Sequence, residues 1–185
     1  MKYSQPTPVP ADYAPPSIGK SISLDGVPLK EGKPALLHFF NPECPCSKFN
    51  FAHFRTLATR YSEDVNFVVV LQDLEKEEAL EAFADYGLDV PAIYDQDGMV
   101  AEKCGVFATP QAVLLTSDKK IYYRGNYNKS RYCTIPGSNY TQMALDSLLA
   151  NKRMPDFGVQ AYRPYGCELP SENPETARNI FDFAL

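Results

Sequence analysis

The chain has 185 residues, a hydrophobic fraction of 44% and a formal net charge of −5, which predicts one folded domain with extensions. Its basic residues do not cluster, so nucleic-acid binding has no electrostatic basis, and no apolar run is long enough to span a bilayer. The five cysteines are too few for a disulfide scaffold of this length.

The amino-terminal segment is rich in proline. Residues 1–16 are polar and carry prolines at positions 6, 8, 10, 15 and 16, which predicts an extended, flexible arm. No signal peptide is visible in it, so the start is either native or a point from which a leader or membrane tether was removed upstream. Residues 18–24 and 30–34, separated by a turn at Asp25 and Gly26, predict a short edge strand or hairpin.

Strand and helix patterns alternate through the middle of the chain. The apolar run at 35–40 predicts a central strand buried on both faces, and Ser47 is placed to cap a helix that runs to about Tyr61. Residues 65–71 predict a second buried strand, and residues 75–86 an amphipathic helix ended by Gly87. A short strand at 90–94 and a short helix ending near Gly105 follow.

The last third of the chain returns to antiparallel patterns. Residues 112–116 and 121–124 predict a hairpin, residues 125–139 a long loop and residues 141–150 a helix. This order predicts an α/β fold with a mixed central sheet and helices on both faces. It divides the chain into an arm (1–16), a domain (17–150) and an extension packed on that domain (151–185), with a last short helix near 177–183.

The strongest chemical signal is Cys44-Pro45-Cys46-Ser47, between the central strand and the helix start. A thiolate is the nucleophile in disulfide exchange, and the unpaired N–H groups and positive end of a helix lower a thiol pKa. Cys44 is therefore well placed to be such a nucleophile, and the motif predicts Cys44 and Cys46 as the catalytic residues. The alternatives are two buried structural thiols or two metal ligands.

Two segments together resemble the thioredoxin superfamily. They are Ala-Leu-Leu-His-Phe-Phe-Asn-Pro-Glu-Cys-Pro-Cys-Ser at 35–47 and Ala-Thr-Pro at 108–110, and the nearest branches are the extracytoplasmic thiol–disulfide reductases and the peroxiredoxin-like proteins. The resemblance implies a thioredoxin-like fold with Cys44 as the attacking cysteine and Ser47 at the usual place of a resolving cysteine. It also implies that Thr109 and a cis-Pro110 shape the surface where a substrate strand docks.

Three departures from the pattern bear on activity. The Cys-x-Cys spacing predicts either a strained Cys44–Cys46 disulfide or a Cys44 resolved by a distant cysteine. Glu43 replaces the usual aromatic residue, and its carboxylate raises the pKa of a neighbouring thiol. Asn41 stands where peroxiredoxins have threonine, which disfavours direct peroxide reduction.

The remaining candidates have more than one interpretation. His38 stands where thioredoxins have a buried acid, so it either exchanges protons near neutral pH or is a half-buried histidine bonded to backbone. Cys104 is predicted to be a core thiol. A Cys133–Cys167 disulfide that pins the tail is the first prediction, and the alternative is that Cys167 resolves Cys44.

These observations predict a thiol–disulfide oxidoreductase that acts on a protein thiol or disulfide, without a cofactor or resident metal. The alternatives are a Cu(I)-handling module with Cys44 and Cys46 as soft ligands, a peroxiredoxin-like peroxidase that passes through a sulfenic acid, and a redox-inactive binding domain. The resemblance favours the bacterial periplasm or cell envelope and leaves the cytoplasm open. It predicts no particular oligomeric state.

Overall fold

A five-stranded sheet forms the centre of the computed structural model, which describes residues 6–72 and 74–169. In chain order the elements are β1 (Ala35–Phe40), α1 (Pro45–Tyr61), β2 (Asn66–Leu71), α2 (Lys76–Ala84), β3 (Ala92–Tyr94), α3 (Met99–Cys104), β4 (Ala108–Thr109), β5 (Gln111–Leu115), β6 (Ile121–Gly125), α4 (Tyr140–Leu149), α5 (Val159–Tyr162) and β7 (Cys167–Glu168). The helix predicted near 177–183 lies outside the described residues.

The sheet has the strand order β3-β2-β1-β5-β6. β1 pairs in parallel with β2, and β2 with β3, whereas β5 runs antiparallel to both β1 and β6. A parallel βαβ unit followed by an antiparallel hairpin and a helix is the thioredoxin-like arrangement. The prediction of an α/β fold with a mixed central sheet is therefore confirmed, and so is the resemblance to the thioredoxin superfamily.

Each face of the sheet has its own apolar core, because successive strand residues point to opposite sides. On one face Leu36 and Phe40 of β1 pack in a cluster with residues of α1, α2 and α4. On the other face Leu37 and Phe39 pack with residues of α3 and with the segment around Ile22. None of the helices in the described part of the chain is both long and apolar enough to cross a membrane.

Two local predictions are wrong. Ser47 does not cap α1, because the helix begins at Pro45 and Cys44 occupies the cap position; proline is favoured at the first helical position, where its missing N–H is not needed. The short edge strand or hairpin predicted within 18–34 is absent from this described segment, which makes one isolated antiparallel bridge between Ser21 and Lys120. Pro28 lacks a backbone donor, and the apolar side chains of this segment cover α3 instead.

The two ends of the described chain contact each other, and the amino-terminal end also contacts the domain. Pro6 forms a bridge with Tyr165, the backbone N–H of Thr7 donates to the Pro164 carbonyl at 2.9 Å, and the Tyr13 hydroxyl donates to the Gly105 carbonyl at 2.7 Å. The division into arm, domain and extension stays a prediction.

Candidate functional site

Cys44 lies in the turn between the buried strand β1 and helix α1. Its backbone is extended (φ −71°, ψ 120°) as the N-cap of α1, and its carbonyl accepts a hydrogen bond from the N–H of Lys48 at 3.1 Å. The side-chain oxygen of Asn41 accepts from the N–H groups of Glu43 at 2.8 Å and Cys44 at 3.3 Å. Asn41 therefore fixes Cys44 at the positive end of the helix, a role that the sequence analysis did not assign to it.

The loop before β5 lies against the Cys44 sulfur. The peptide bond between Thr109 and Pro110 is cis, and the Thr109 carbonyl oxygen lies 4.0 Å from Cys44 Sγ. Thr109 is 1% exposed, so neither its side chain nor its backbone is open to solvent, and its backbone is paired with Cys167. The fold thus brings Cys44 next to the consecutive residues Thr109 and Pro110, which lie far from it in the sequence.

Cys44 forms a disulfide with Cys167, 123 residues further along the chain, with a Cα–Cα distance of 6.4 Å. Cys46, Cys104 and Cys133 are free thiols. The predicted Cys133–Cys167 disulfide is therefore wrong, and so is a Cys44–Cys46 pair, whereas the alternative pairing of Cys167 with Cys44 is present. Cys46 is buried inside the first turn of α1, and Cys133 Sγ instead accepts a hydrogen bond from Asn50 Nδ2 at 3.3 Å.

A short strand brings Cys167 to the site. β7 pairs antiparallel with β4, so that Cys167 lies opposite Thr109 and Glu168 opposite Ala108. The N–H of Leu169 extends this contact by donating to the Phe107 carbonyl at 2.9 Å. The tail therefore covers the edge beside Pro110.

The two cysteines of the disulfide differ in their exposure to solvent. Cys44 is 2% exposed, because β7 lies over it, whereas Cys167 is partly exposed. A thiol that approaches from solution therefore meets Cys167 first.

The three free thiols lie in surroundings that keep them protonated. Burial raises the pKa of Cys46, although a hydrogen bond and the charge of Arg131 act in the opposite direction. Burial raises the pKa of Cys133 to about 11 and that of Cys104 to about 12. The prediction of Cys104 as a core thiol agrees with its position in the apolar cluster around α3.

His38 lies beneath the site on β1 and is fully buried. Its ring stacks on Phe54 with a centroid separation of 4.0 Å, and Nδ1 shares a hydrogen bond of 2.7 Å with the Tyr127 hydroxyl. Burial lowers its pKa to about 3, so the ring is neutral at physiological pH. Both interpretations of His38 are therefore corrected: it is poorly suited to proton exchange near neutral pH, and it is fully buried with a side-chain partner.

Glu43 and Ser47, the polar residues on either side of the two cysteines, differ in burial. Glu43 is exposed, and Ser47 is buried with its hydroxyl accepting from the N–H of Asn41 at 3.4 Å. Ser47 therefore stabilises the turn from inside α1. Within residues 6–72 and 74–169, no three side chains of histidine, cysteine, aspartate or glutamate come close enough together to hold a metal ion.

An open pocket of about 410 Å³ lies beside the segment that carries Cys167. Tyr165, two residues before Cys167, forms part of its wall, and no acidic residue of the described chain does. The three cationic side chains in the wall are Lys129, Arg131 and Arg163. This pocket is locally basic in a chain of net charge −5.

Comparison with known proteins gives a family and a fold. The family model described as a domain of unknown function, DUF6436, matches residues 20–167, a range that contains Cys44, Pro110 and Cys167. No curated protein matches the chain.

Three solved structures illustrate the likeness. An uncharacterized conserved protein from Geobacillus kaustophilus shares 25% identity over 78% of this chain and 80% of its own, with a TM-score of 0.66. A hypothetical protein from Sinorhizobium meliloti shares 21% identity over 76% and 81%, with a TM-score of 0.64. A secreted disulfide oxidoreductase from Mycobacterium tuberculosis shares 24% identity over 49% and 67%, but its TM-score of 0.44 describes too partial a match to assign that activity here.

Proposed function

The chain belongs to the DUF6436 family, and we propose that it is a thiol–disulfide oxidoreductase whose redox-active bond joins Cys44 and Cys167. One observation carries the proposal: this disulfide lies at the amino end of α1, beside the cis peptide bond of Pro110. A buried structural disulfide needs neither position. At the end of a helix, however, the Cys44 sulfur leaves readily as a thiolate.

The first exchange step follows from the access of the two sulfurs. An incoming thiolate attacks Sγ of Cys167, the bond to Cys44 breaks, and a mixed disulfide forms between the visitor and Cys167. Cys44 leaves as a thiolate stabilised by the N-terminus of α1, and a sulfur with a lower pKa leaves faster. A second thiol then attacks the visitor's sulfur, so that two thiols are oxidised to one disulfide and the protein gains two electrons and two protons.

The reverse direction uses the same groups. In the reduced protein, the Cys44 thiolate attacks a partner's disulfide and forms a mixed disulfide beside Thr109 and Pro110. Cys167 then attacks Cys44, which restores the 44–167 bond and releases the partner's second thiol. Cys46 is assigned a supporting role in place of the predicted catalytic one, because it is a free thiol outside the disulfide and burial raises its pKa. Cys167 is proposed as the resolving cysteine, since Ser47 stands where proteins of the thioredoxin superfamily usually have it.

The partner is proposed to be a protein thiol or disulfide, and the compartment the bacterial cell envelope. Disulfides persist in oxidising compartments outside the cytoplasm, which supports this placement for a chain with the Cys44–Cys167 bond.

The test compares variants in which one cysteine is replaced, with the reduction of insulin by a dithiol as the assay. We expect Cys44→Ser to abolish the turnover, and Cys167→Ser to accumulate a mixed disulfide on Cys44 that mass spectrometry detects. Cys104→Ala is the matched control, because it removes a thiol distant from the disulfide and is expected to keep wild-type turnover. Equal turnover by wild type and Cys44→Ser would remove Cys44 from the mechanism.

A further inference from the structure

The edge beside Pro110 is occupied by the chain itself. Residues 165–169, here called the tail strand, run antiparallel to residues 107–109, with Cys167 opposite Thr109 and the N–H of Leu169 bonded to the Phe107 carbonyl. The Cys44 sulfur lies 4.0 Å from the Thr109 carbonyl oxygen, so a cysteine on a strand at this edge is delivered directly to Cys44. The tail strand therefore has the position that an extended substrate would need.

One position of the tail strand admits only glycine. A Cβ atom on Gly166 would lie 2.0 Å from the carbonyl oxygen and 3.0 Å from the carbonyl carbon of Thr109. Both atoms belong to the backbone of the loop that precedes Pro110, so no side-chain rotation relieves the contact. Gly166 also has φ +137°, a conformation that residues with a Cβ rarely adopt.

We propose that this edge selects extended polypeptide strands in which glycine immediately precedes the cysteine, and that the tail strand is its built-in ligand. The inference rests on the proposed function, because it names the substrate class of the same Cys44. The tail strand must leave the edge before an external strand can dock. While the Cys44–Cys167 bond is intact the tail strand cannot leave, so in the oxidised protein this edge is closed to an external strand, and the disulfide reacts only with a thiol, of a protein or a small molecule, that reaches Cys167.

Reduction of the disulfide opens the edge. At the edge itself, the contacts that then remain are a ladder of two residue pairs and the hydrogen bond of Leu169, and an external strand needs to replace only these. The tail strand is also held from its other side by the bridge between Tyr165 and Pro6 and by the hydrogen bonds of Tyr165 to Asn128 and of Thr7 to Gly166. An external Gly-Cys strand carrying a mixed disulfide binds there, and the Cys44 thiolate attacks its cysteine sulfur. A bond forms between Cys44 and the strand, and the strand's former disulfide partner leaves as a thiolate.

The experiment uses the full chain carrying Cys167→Ser, which removes the resolving thiol. The probes are the peptides Tyr-Gly-Cys-Glu-Leu and Tyr-Ala-Cys-Glu-Leu, each with its cysteine in a mixed disulfide with thionitrobenzoate, and the readouts are release of the coloured thionitrobenzoate and the mass of the Cys44–peptide adduct. We expect the glycine peptide to react about tenfold faster, the ratio that corresponds to a strained residue at this position. Reaction of the double variant Cys44→Ser with Cys167→Ser is subtracted as background from the other thiols.

A second variant tests the built-in ligand. Adding Gly166→Ala to Cys167→Ser places a methyl group against Thr109 and weakens the hold of the tail strand, so the glycine peptide is expected to react faster than with Cys167→Ser alone. Equal rates for the two peptides would overturn the glycine selectivity. A glycine-peptide rate that Gly166→Ala leaves unchanged would overturn the role of the tail strand as built-in ligand. In both of these outcomes Cys44 still reacts, so the proposed function stands. The proposed function itself would be overturned if Cys44 reacted with neither peptide and also failed to react with free dithiobis(nitrobenzoate).

Discussion

The cysteines of the chain lie in different electrostatic surroundings. Cys44 is at the N-cap of the 17-residue helix α1, where the free N–H groups and the helix dipole favour a negative sulfur. Cys104 is enclosed in the apolar cluster beneath α3, where burial raises its pKa to about 12. Under the proposed function, the helix end favours a thiolate at Cys44, whereas burial keeps the thiol of Cys104 protonated.

The first prediction concerns the pH at which Cys44 becomes nucleophilic. In the reduced Cys167→Ser variant, we expect the midpoint of Cys44 alkylation to lie below the ordinary thiol value, because the free N–H groups and dipole at the start of α1 favour the thiolate. The measurement is iodoacetamide labelling over a pH series, followed by peptide mass spectrometry. Cys104 in the same digests is the internal control and stays unlabelled; a Cys44 midpoint at or above the ordinary value would contradict the helix argument.

The second prediction concerns stability and the buried ring of His38. Its pKa is about 3 in the folded protein and about 6.5 in an unfolded chain, so between these values only the unfolded state binds the proton. The contribution of the neutral His38 ring to the free energy of unfolding is therefore complete above pH 6.5. As the pH falls from 7 to 4.5, this contribution decreases by about 2–3 kcal/mol. Urea unfolding at the two pH values measures it.

The matched variant for His38 is His38→Phe, which keeps an aromatic ring against Phe54 but has no proton to bind. It loses the bond to Tyr127, so its absolute stability falls. The informative quantity is the difference in unfolding free energy between the two pH values, which we expect to be smaller than in the wild type. An equal difference would mean that His38 is not the group responsible.

At the scale of elements, the start of α1 depends on a side chain outside the helix. Asn41 accepts two backbone N–H groups in the turn, and we expect Asn41→Ala to lower the free energy of unfolding by about 1–2 kcal/mol, as for the loss of a helix cap. The same change loosens Cys44 and slows its alkylation. Chemical denaturation and labelling rates check both effects. Glu43→Ala is the matched control, because the Glu43 side chain is exposed, and an equal loss in both variants would contradict the role of Asn41.

The elements differ in how far the sequence predicted them. β1 and β2 were predicted within a residue, because six consecutive buried residues in each leave an apolar run that only an interior strand explains. β4 and β7 have two residues each, too few for any periodicity. They form because distant backbone edges meet, which is tertiary information.

The candidate site divides in the same way. The position of Cys44 before α1 was predictable, since a proline-bounded turn and a helix start are local features. The choice of Cys44 over Cys133 as the partner of Cys167 was not, because it depends on how residues 151–169 fold back over β6 and α4. Tyr123 and Asn126 contribute to that path by bonding backbone groups of the α5 region, and neither contact has a signature in the sequence.

At the scale of the whole molecule, charge is distributed unevenly. The chain carries a net charge of −5, yet Lys129, Arg131 and Arg163 line the pocket beside the tail strand. A thiol that reaches Cys167 through this pocket therefore passes the local field of three cationic side chains, before it meets the exposed Glu168 next to Cys167. Fields of this kind change association rates according to the sign of the visitor's charge and weaken as salt is added.

This field predicts how small thiols reduce the oxidised protein. We expect mercaptoethanesulfonate, which is anionic, to reduce the Cys44–Cys167 bond several-fold faster than cationic cysteamine at low ionic strength, after correction for the pKa of each thiol. The advantage is expected to shrink as added salt shortens the Debye length from about 10 Å at 0.1 M to about 3 Å at 1 M. We expect Arg163→Gln to remove part of the rate advantage of the anionic thiol. Lys76→Gln, which removes one positive charge at the start of α2, is expected to leave that advantage unchanged. If Arg163→Gln kept the full preference for the anionic thiol, the field would have to lie elsewhere on the molecule. The same would follow if added salt left that preference unchanged.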